Sequence, residues 1–317
     1  MVVPSSSSSL KIGWIGAGRM GSQLAIRLLD AGYDVTVYNR TAAKAAHLAE
    51  RGAAIVSRPV DLADRDLVFS MVSSSRDLEE VMLGTDGLLT ATASPAIIAD
   101  ASTVSPEASE LVRNAAHSRG ADFLATPVSG NPKVIAAGKL TVAVSGPRAA
   151  FDSIEPVLRV FGRGVTYVGE GEAARLVKIA HNVMLGVVTQ CLAEITVLVE
   201  KGGVSRADFL AFLNDSVMGS AFTQYKSPAF VNLDFSPTFT MQLLQKDFDL
   251  GLEAANVLKS PMPIAAATRQ IVAQAVGSGR GDDEDFATLL LEVARGAGIV
   301  LESENIGVDD GLAPVHS

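Results

Sequence analysis

Cysteine is almost absent from this chain of 317 residues, in which Cys191 stands alone. A single thiol closes no internal disulfide, which excludes a disulfide scaffold and fits a reducing compartment. Its neighbours in VVTQCLAEI are apolar, which predicts a packed core thiol and not a nucleophile. The four histidines, His47, His117, His181 and His316, show no metal-ligand spacing, so no structural or catalytic metal is expected. There is no Lys/Arg run, and the formal net charge of −9 argues against nucleic acid or an anionic membrane as a partner. No apolar segment is expected to cross a membrane, because polar groups interrupt each one. The opening MVVPSSSSSLK lacks the basic start and long apolar run of a secretory leader and reads as a flexible tail over residues 1–9. Together these absences predict a soluble, cytoplasmic chain.

What is present is ample core material, with 48% hydrophobic residues. From Lys11, short β-rich runs alternate with helical stretches. KIGWIG, DVTVYN, LVFSMV, IIAD and FLATPV read as strands, followed by LTVAVSG and VTYVG. MGSQLAIRLLDAG and AAKAAHLAERG read as helices. The alternation predicts a Rossmann-type, doubly wound parallel sheet over residues 10–170. After Gly171 strand signals cease. A helix over about 172–200 is expected to lead into an all-α region, 171–301, with helices in SRADFLAFLND, FTMQLLQKDFDLGLEAANVL, PIAAATRQIVAQAV and FATLLLEVARGAG. Residues 302–317 read as a loosely ordered tail.

The segment GWIGAGRMGSQLA places Gly16-x-Gly18-x-x-Gly21 directly after a strand and before a helix. Gly16 permits the tight turn, Gly18 lets a pyrophosphate approach the backbone, and Gly21 lets helix and strand pack closely. The cofactor's phosphates are expected against Gly16, Ala17, Gly18, Arg19, Met20 and Gly21, at the positive end of the helix. An NAD site usually carries an acid at the end of the second strand. Here the sequence is Asn39-Arg40-Thr41. The Arg40 fork suits a phosphate, with Thr41 and Lys44 as further donors, which predicts NADP(H) as the preferred cofactor and NAD(H) as the second choice. Ser102 and Thr103 follow the fourth strand, where open α/β sheets bind ligands. The same stretch reads as a helix start, with Ser105 as cap, Pro106 at the first position and Glu107 in the first turn.

RLVKIAHNVML sets Lys178 and Asn182 four residues apart, on one face of an apolar helix. A lysine there either snorkels to water along its stem or serves a site. Two other features take structural readings. The acids Asp282, Asp283, Glu284 and Asp285 fit a loop entering a helix N-terminus better than a metal site, and Met218, Met241 and Met262 suit core packing.

With these pieces placed, the chain resembles the β-hydroxyacid dehydrogenase family, which includes 3-hydroxyisobutyrate dehydrogenases, tartronate semialdehyde reductases and glyoxylate/succinic semialdehyde reductases. The similarity runs from Lys11 to about Ile299 and rests on GWIGAGRMG, ATPVSGNPKVIAAGKLTVAVSG, GEAARLVKIAHN and KDFDL in that order. The resemblance implies Lys178 as catalytic lysine and Asn182 as its partner on the substrate. It implies Ser129 and Gly130 on a substrate carboxylate, with Val72, Ser73, Thr103 and Lys246 at the cofactor and Asp247 supporting them. The family usually has a second glycine after Ser-Gly. Asn131-Pro132 stands here instead, placing a side chain and a stiff turn at the pocket rim.

The chemistry expected is hydride transfer between a nicotinamide and a small β-hydroxyacid, or its semialdehyde or 2-oxo acid counterpart, with Lys178 as general acid/base. The all-α region is expected to mediate a homodimer or homotetramer. The alternatives are an imine reductase of the same fold and a non-catalytic NADP-binding sensor or scaffold.

Overall fold

Short strands buried along their whole length need helices on both faces, and this requirement organises the first half of the chain. The computed structural model describes residues 10–281 and 283–312, so the expected tail 1–9, Asp282 and residues 313–317 (with His316) lie outside the described residues. The chain divides into two compact units, Met1–Lys178 and Ile179–Ser317.

In the first unit the order is β1 (Lys11–Ile15), α1 (Arg19–Asp30), β2 (Asp34–Tyr38), α2 (Ala46–Ala49), β3 (Ala54–Val56), β4 (Leu67–Ser70), α3 (Ser75–Leu83), β5 (Ile97–Asp100) and α4 (Pro106–Ser118). Next come β6 (Asp122–Ala125), β7 (Val128–Ser129), α5 (Pro132–Ala136), β8 (Thr141–Ser145), α6 (Arg148–Arg159) and β9 (Gly164–Gly169). The strands form one sheet in the order β3-β2-β1-β4-β5-β6-β8-β7, with β9 on β8. From β3 to β6 every pairing is parallel, the Rossmann arrangement. The sheet is therefore parallel-dominated as expected, and beyond β6 it adds an antiparallel element: β8 runs antiparallel to both β6 and β7. The segment joining β6 to β8 spends its length on β7 and the five-residue α5, and contains no long crossover helix of the kind a parallel return needs. Trp14, Phe69 and Phe161 pack as a buried aromatic trio with ring centroids 5.3–6.0 Å apart.

The Ala-rich stretch expected as one helix is a 3₁₀ turn, Ala42–Ala45, followed by the four-residue α2. β3 and β7 were not among the expected strands; at three and two residues they are too short to show a period-two pattern. The reading of Ser105 holds: its hydroxyl accepts the Ala108 N–H at the start of α4, with Pro106 in the first turn.

α7 (Ala173–Lys201) contains the division between the units, and the second unit continues with α8 (Arg206–Asp215), α9 (Ala221–Asn232), α10 (Met241–Val257), α11 (Pro263–Gly277) and α12 (Leu289–Gly296). α9 was not expected, because Pro228 lies inside it and an interior proline removes a hydrogen bond and crowds the preceding turn. Ser220 and Thr223 start it with a reciprocal capping box. α10 packs directly on α7. A Cβ on Gly186 would lie 2.4 Å from Phe248, and one on Gly251 2.4 Å from Val183. These two glycines let the helices approach and bring the KDFDL segment beside Asn182.

Several expectations are corrected here. Cys191 is exposed, not packed in the core, and Met218 is 71% exposed, whereas Met241 is fully buried. α7 is long and apolar enough, by length and composition, to cross a membrane, although half of its most apolar stretch is buried inside the chain. The segment from Glu302, expected to be loose, is pinned through its described part. Arg206 donates to the Glu302 carbonyl, and Glu304 accepts from the Arg206 and Ala207 N–H groups at 2.7 and 3.2 Å, capping α8. Asn232 and Ile306 exchange two further hydrogen bonds. Asp285 caps the 3₁₀ turn Phe286–Thr288 and pairs with buried Lys226, while Glu284 pairs with Arg280.

Candidate active site

The glycine loop joins β1 to α1. Gly16 has φ +104, and a Cβ there would sit 2.2 Å from the Met71 carbonyl oxygen. A Cβ on Gly21 would meet the Gly16 carbonyl oxygen at the same 2.2 Å, so the helix can start this close to the strand only without a side chain. Gly18 differs: nothing lies within 4 Å of where its Cβ would be. The open space stands at the N-cap of α1, where glycine has no side chain to cap the helix, so the first-turn N–H groups suit an anion. Trp14 Nε1 donates to the Gly16 carbonyl at 2.8 Å and fixes the turn from below. These features fit a dinucleotide's pyrophosphate.

Asn39 is already engaged by protein. Its Oδ1 accepts the Ala17 N–H at 2.8 Å and its Nδ2 donates to the Thr41 carbonyl at 2.7 Å, so it ties the glycine loop to the end of β2. Arg40 projects outward with its side chain 83% exposed, and one of its N–H groups lies on Asp77 at 2.9 Å. A guanidinium carries five N–H donors, so the fork keeps capacity for a further anion.

A network that the sequence did not reveal occupies the carboxyl ends of β4 and β5. Asp100 is fully buried and accepts from the Ser70 and Ser102 hydroxyls at 2.6 and 2.7 Å. Ser102 Oγ in turn accepts the Val72 N–H at 2.9 Å. Arg175, in the first turn of α7 and 1% exposed, donates to Asp100, to the Ser102 carbonyl and to Ser109 Oγ. The available signal was an acid closing the apolar run IIAD and an arginine within an apolar helix, two charges that need each other once buried.

Ser129 ends β7. Gly130 has φ +146 and lies against Val134 and Leu140, where a Cβ would approach to 2.8 Å. Asn131 is 6% exposed and its Oδ1 accepts the Val134 N–H at 3.0 Å, capping α5 with Pro132 at the first position. Asn131 thus serves locally as a helix start, a cap worth about 0.3 kcal/mol over a glycine at the same place.

Lys178 and Asn182 stand four residues apart on α7, about 6 Å along the axis. Asn182 is 3% exposed; its Nδ2 donates to Asp247 Oδ2 at 2.6 Å and its Oδ1 lies 3.0 Å from His181 Nδ1. A carboxylate only accepts, so Asn182 must turn its NH₂ to Asp247, and the His181 proton then belongs on Nδ1. Asp247, 1% exposed, holds Lys246 Nζ 3.5 Å from its other oxygen. α10 therefore fixes the amide orientation of Asn182 and carries Lys246 one residue away. Val72 and Ser73 follow the carboxyl end of β4, and Thr103 follows that of β5.

The NAD binding domain of 6-phosphogluconate dehydrogenase matches residues 11–169, and the NAD-binding region of NADP-dependent 3-hydroxyisobutyrate dehydrogenase matches residues 171–293. The 2-(hydroxymethyl)glutarate dehydrogenase of Eubacterium barkeri is 35% identical over 278 residues, 86% of this chain and 92% of that one. The human cytokine-like nuclear factor N-PAC is 30% identical over 276 residues, and this chain spans 50% of its length. Among solved structures, the Mycobacterium tuberculosis 3-hydroxyisobutyrate dehydrogenase with L-serine is 27% identical, with a TM-score of 0.78 over 90% of this chain and 99% of that one. Imine reductases and reductive aminases, at 22–24% identity, share the fold alone.

Proposed function

The chain belongs to the β-hydroxyacid dehydrogenase family and is an NAD(P)-binding oxidoreductase; from that premise we propose that it transfers a hydride between NADP(H) and a small hydroxyacid or its semialdehyde or 2-oxo acid counterpart, with Lys178 as general acid/base. The observation that carries this reading is the placement of Lys178 and Asn182 four residues apart on one continuous helix, with the amide of Asn182 buried and set by Asp247.

When bound, the nicotinamide supplies or accepts the hydride. The glycine loop with Arg19 and Met20 holds the pyrophosphate, Val72, Ser73, Thr103 and Lys246 hold the rest of the cofactor, and Arg40 with Thr41 takes a 2′-phosphate. Ser129 Oγ and the Gly130 N–H fix the substrate carboxylate, with Asn131 shaping the turn. In reduction, Lys178 donates a proton to the carbonyl oxygen as negative charge grows there. In oxidation it takes the proton of the hydroxyl. Asn182 orients the substrate's oxygen beside it. Relatives named for 2-(hydroxymethyl)glutarate and 3-hydroxyisobutyrate support a substrate bearing a carboxylate.

The test is NADPH oxidation against glyoxylate, succinic semialdehyde, tartronate semialdehyde, methylmalonate semialdehyde and a cyclic imine. Turnover of at least one acid aldehyde is expected; turnover of the imine alone, or of nothing despite NADPH binding, contradicts the reading. For the cofactor, Arg40→Ala is expected to lower the NADPH-over-NADH preference in kcat/KM by roughly 10- to 100-fold, the worth of one or two charge-assisted hydrogen bonds. An unchanged ratio removes Arg40 from the 2′-phosphate site.

A second copy of this chain is the occupant proposed for the open face of α7. Val177, Met184, Ile195 and Leu198 are 44, 68, 41 and 65% exposed along it, with Ala180 and Cys191. Their spacing is symmetric about the midpoint of the face. An antiparallel copy therefore sets Val177 on the partner's Leu198, Ala180 on the partner's Ile195, Met184 on the partner's Cys191, and Glu194 beside the partner's His181, the isologous contact of a two-fold dimer. Met184→Cys is expected to form a covalent dimer with the native Cys191 under mild oxidation, seen on a non-reducing gel, whereas wild type does not. A monomer by light scattering, or no cross-link in the variant, contradicts the pairing.

A further inference from the structure

The buried pair Arg175 and Asp100 touches neither the proposed substrate nor the proposed cofactor, yet it joins the elements that carry both. One carboxylate ties the end of β4, through the Ser70 hydroxyl, to the turn after β5, through the Ser102 hydroxyl. Ser102 passes the constraint to the Val72 N–H, at the start of the loop after β4. One guanidinium then ties the same carboxylate and the Ser102 carbonyl to the first turn of α7, and Ser109 in α4 receives its third side. Glu172 backs the arginine at 3.7 Å and is itself held by Arg113. Lys178 stands three residues beyond Arg175, less than one helical turn. Thr103 follows Ser102 directly.

Burying an ion pair is poor economy for stability, since two apolar side chains of similar volume usually do as well or better. What the pair supplies is direction. The planar fork meets a carboxylate, a carbonyl and a hydroxyl at once, which fixes both the rotation and the height of the first turn of α7 against the sheet end. We propose that Arg175 and Asp100 are positioning residues for the reaction: they set the distance between the Lys178 ammonium and the Thr103 turn, where the nicotinamide would lie. This rests on the reading of Lys178 as general acid/base.

The test uses the double variant Asp100→Asn/Arg175→Met, in which the amide still accepts from Ser70 and Ser102 and no buried charge is left alone. NADPH affinity is read from energy transfer out of Trp14, the single tryptophan of the chain. Turnover is read with the fastest of the four acid aldehydes, using NADPH and its 4-deuterated form. Expected are NADPH affinity within about threefold of wild type and a kcat lower by roughly 100-fold, the scale of a displacement near 1 Å. The deuterium isotope effect on kcat should rise, because a lengthened donor–acceptor distance slows the hydride step itself. A merely structural role leaves the isotope effect where it was. Arg175→Lys keeps the charge without the fork; it should show the same pattern at about tenfold, and it carries the test if the double variant does not fold.

Turnover within threefold of wild type overturns the proposal, as does a parallel loss of turnover and NADPH affinity with an unchanged isotope effect. Lys178→Ala, run alongside, separates the two levels. If it keeps wild-type turnover, or if wild type reduces none of the four aldehydes, the general-acid reading itself fails. If it collapses while the Arg175 variants stay active, only the positioning role fails.

Discussion

Replacing Lys178 with alanine is expected to lower kcat by roughly 10²- to 10⁴-fold, the usual contribution of a positioned general acid/base, while NADPH affinity measured through Trp14 stays within threefold. The reason lies in what its neighbour offers. The Asn182 Nδ2 is held by Asp247 at 2.6 Å, and an amide gives up no proton under these conditions. Asn182 therefore cannot replace an ammonium as proton donor. Lys178→Arg should stay within about tenfold of the alanine variant, because a guanidinium keeps its proton and so serves neither direction of the reaction. Full activity in Lys178→Arg would show that charge alone is needed, and proton transfer would have to be assigned elsewhere.

Arg206→Met carries the largest expected effect on stability. Arg206 is 1% exposed by side chain, and donates to the Phe230, Val231 and Glu302 carbonyls while pairing with Glu200 at 2.8 Å and Glu304 at 3.8 Å. Removing it takes the guanidinium donors from the Phe230 and Glu302 carbonyls and from the Glu200 carboxylate around an apolar stem, while Glu304 keeps the backbone N–H groups of residues 206 and 207 and the Val231 carbonyl keeps the Glu304 N–H. Breaking a buried pair from one side costs about 3–5 kcal/mol, on the order of 10 °C in Tm for a unit of this size. The loss belongs to the second unit, where the arginine joins α8, α9 and the segment after Leu301. The glycine loop lies in the first unit, and α10 with Lys246 supplies none of the Arg206 partners, so the folded variant at 15 °C should still bind NADPH with wild-type affinity. A Tm within 2 °C of wild type would mean that the network contributes nothing that methionine cannot supply.

The local signals were the legible ones. The glycine loop, the Ser105 cap and the long helix, expected at about 172–200 and found at Ala173–Lys201, each depend on residues a few positions apart. Contacts formed across the chain were not legible. Asp100 meets Arg175 across 75 residues and Asn182 meets Asp247 across 65, and no periodicity encodes which distant charge a buried group will find. Cys191 was misplaced for a related reason: apolar neighbours show that a helix is apolar, not which of its faces the fold covers. α9 was missed because Pro228 argues against a helix locally, while its capping box and its packing through Phe230 and Val231 outweigh that cost. Asn131 was expected to place a side chain at a pocket rim, and its Oδ1 serves the helix it starts.

The most direct measurement follows the hydride itself. The wild-type chain is incubated with 4-deuterated NADPH and the fastest of the four acid aldehydes, and the product is examined by mass spectrometry and proton NMR. The account requires one deuterium on the carbon that bears the new hydroxyl, at a rate that collapses in Lys178→Ala. A hydroxyacid without deuterium at that carbon, or deuterium found only in an amine formed from the cyclic imine, would contradict it.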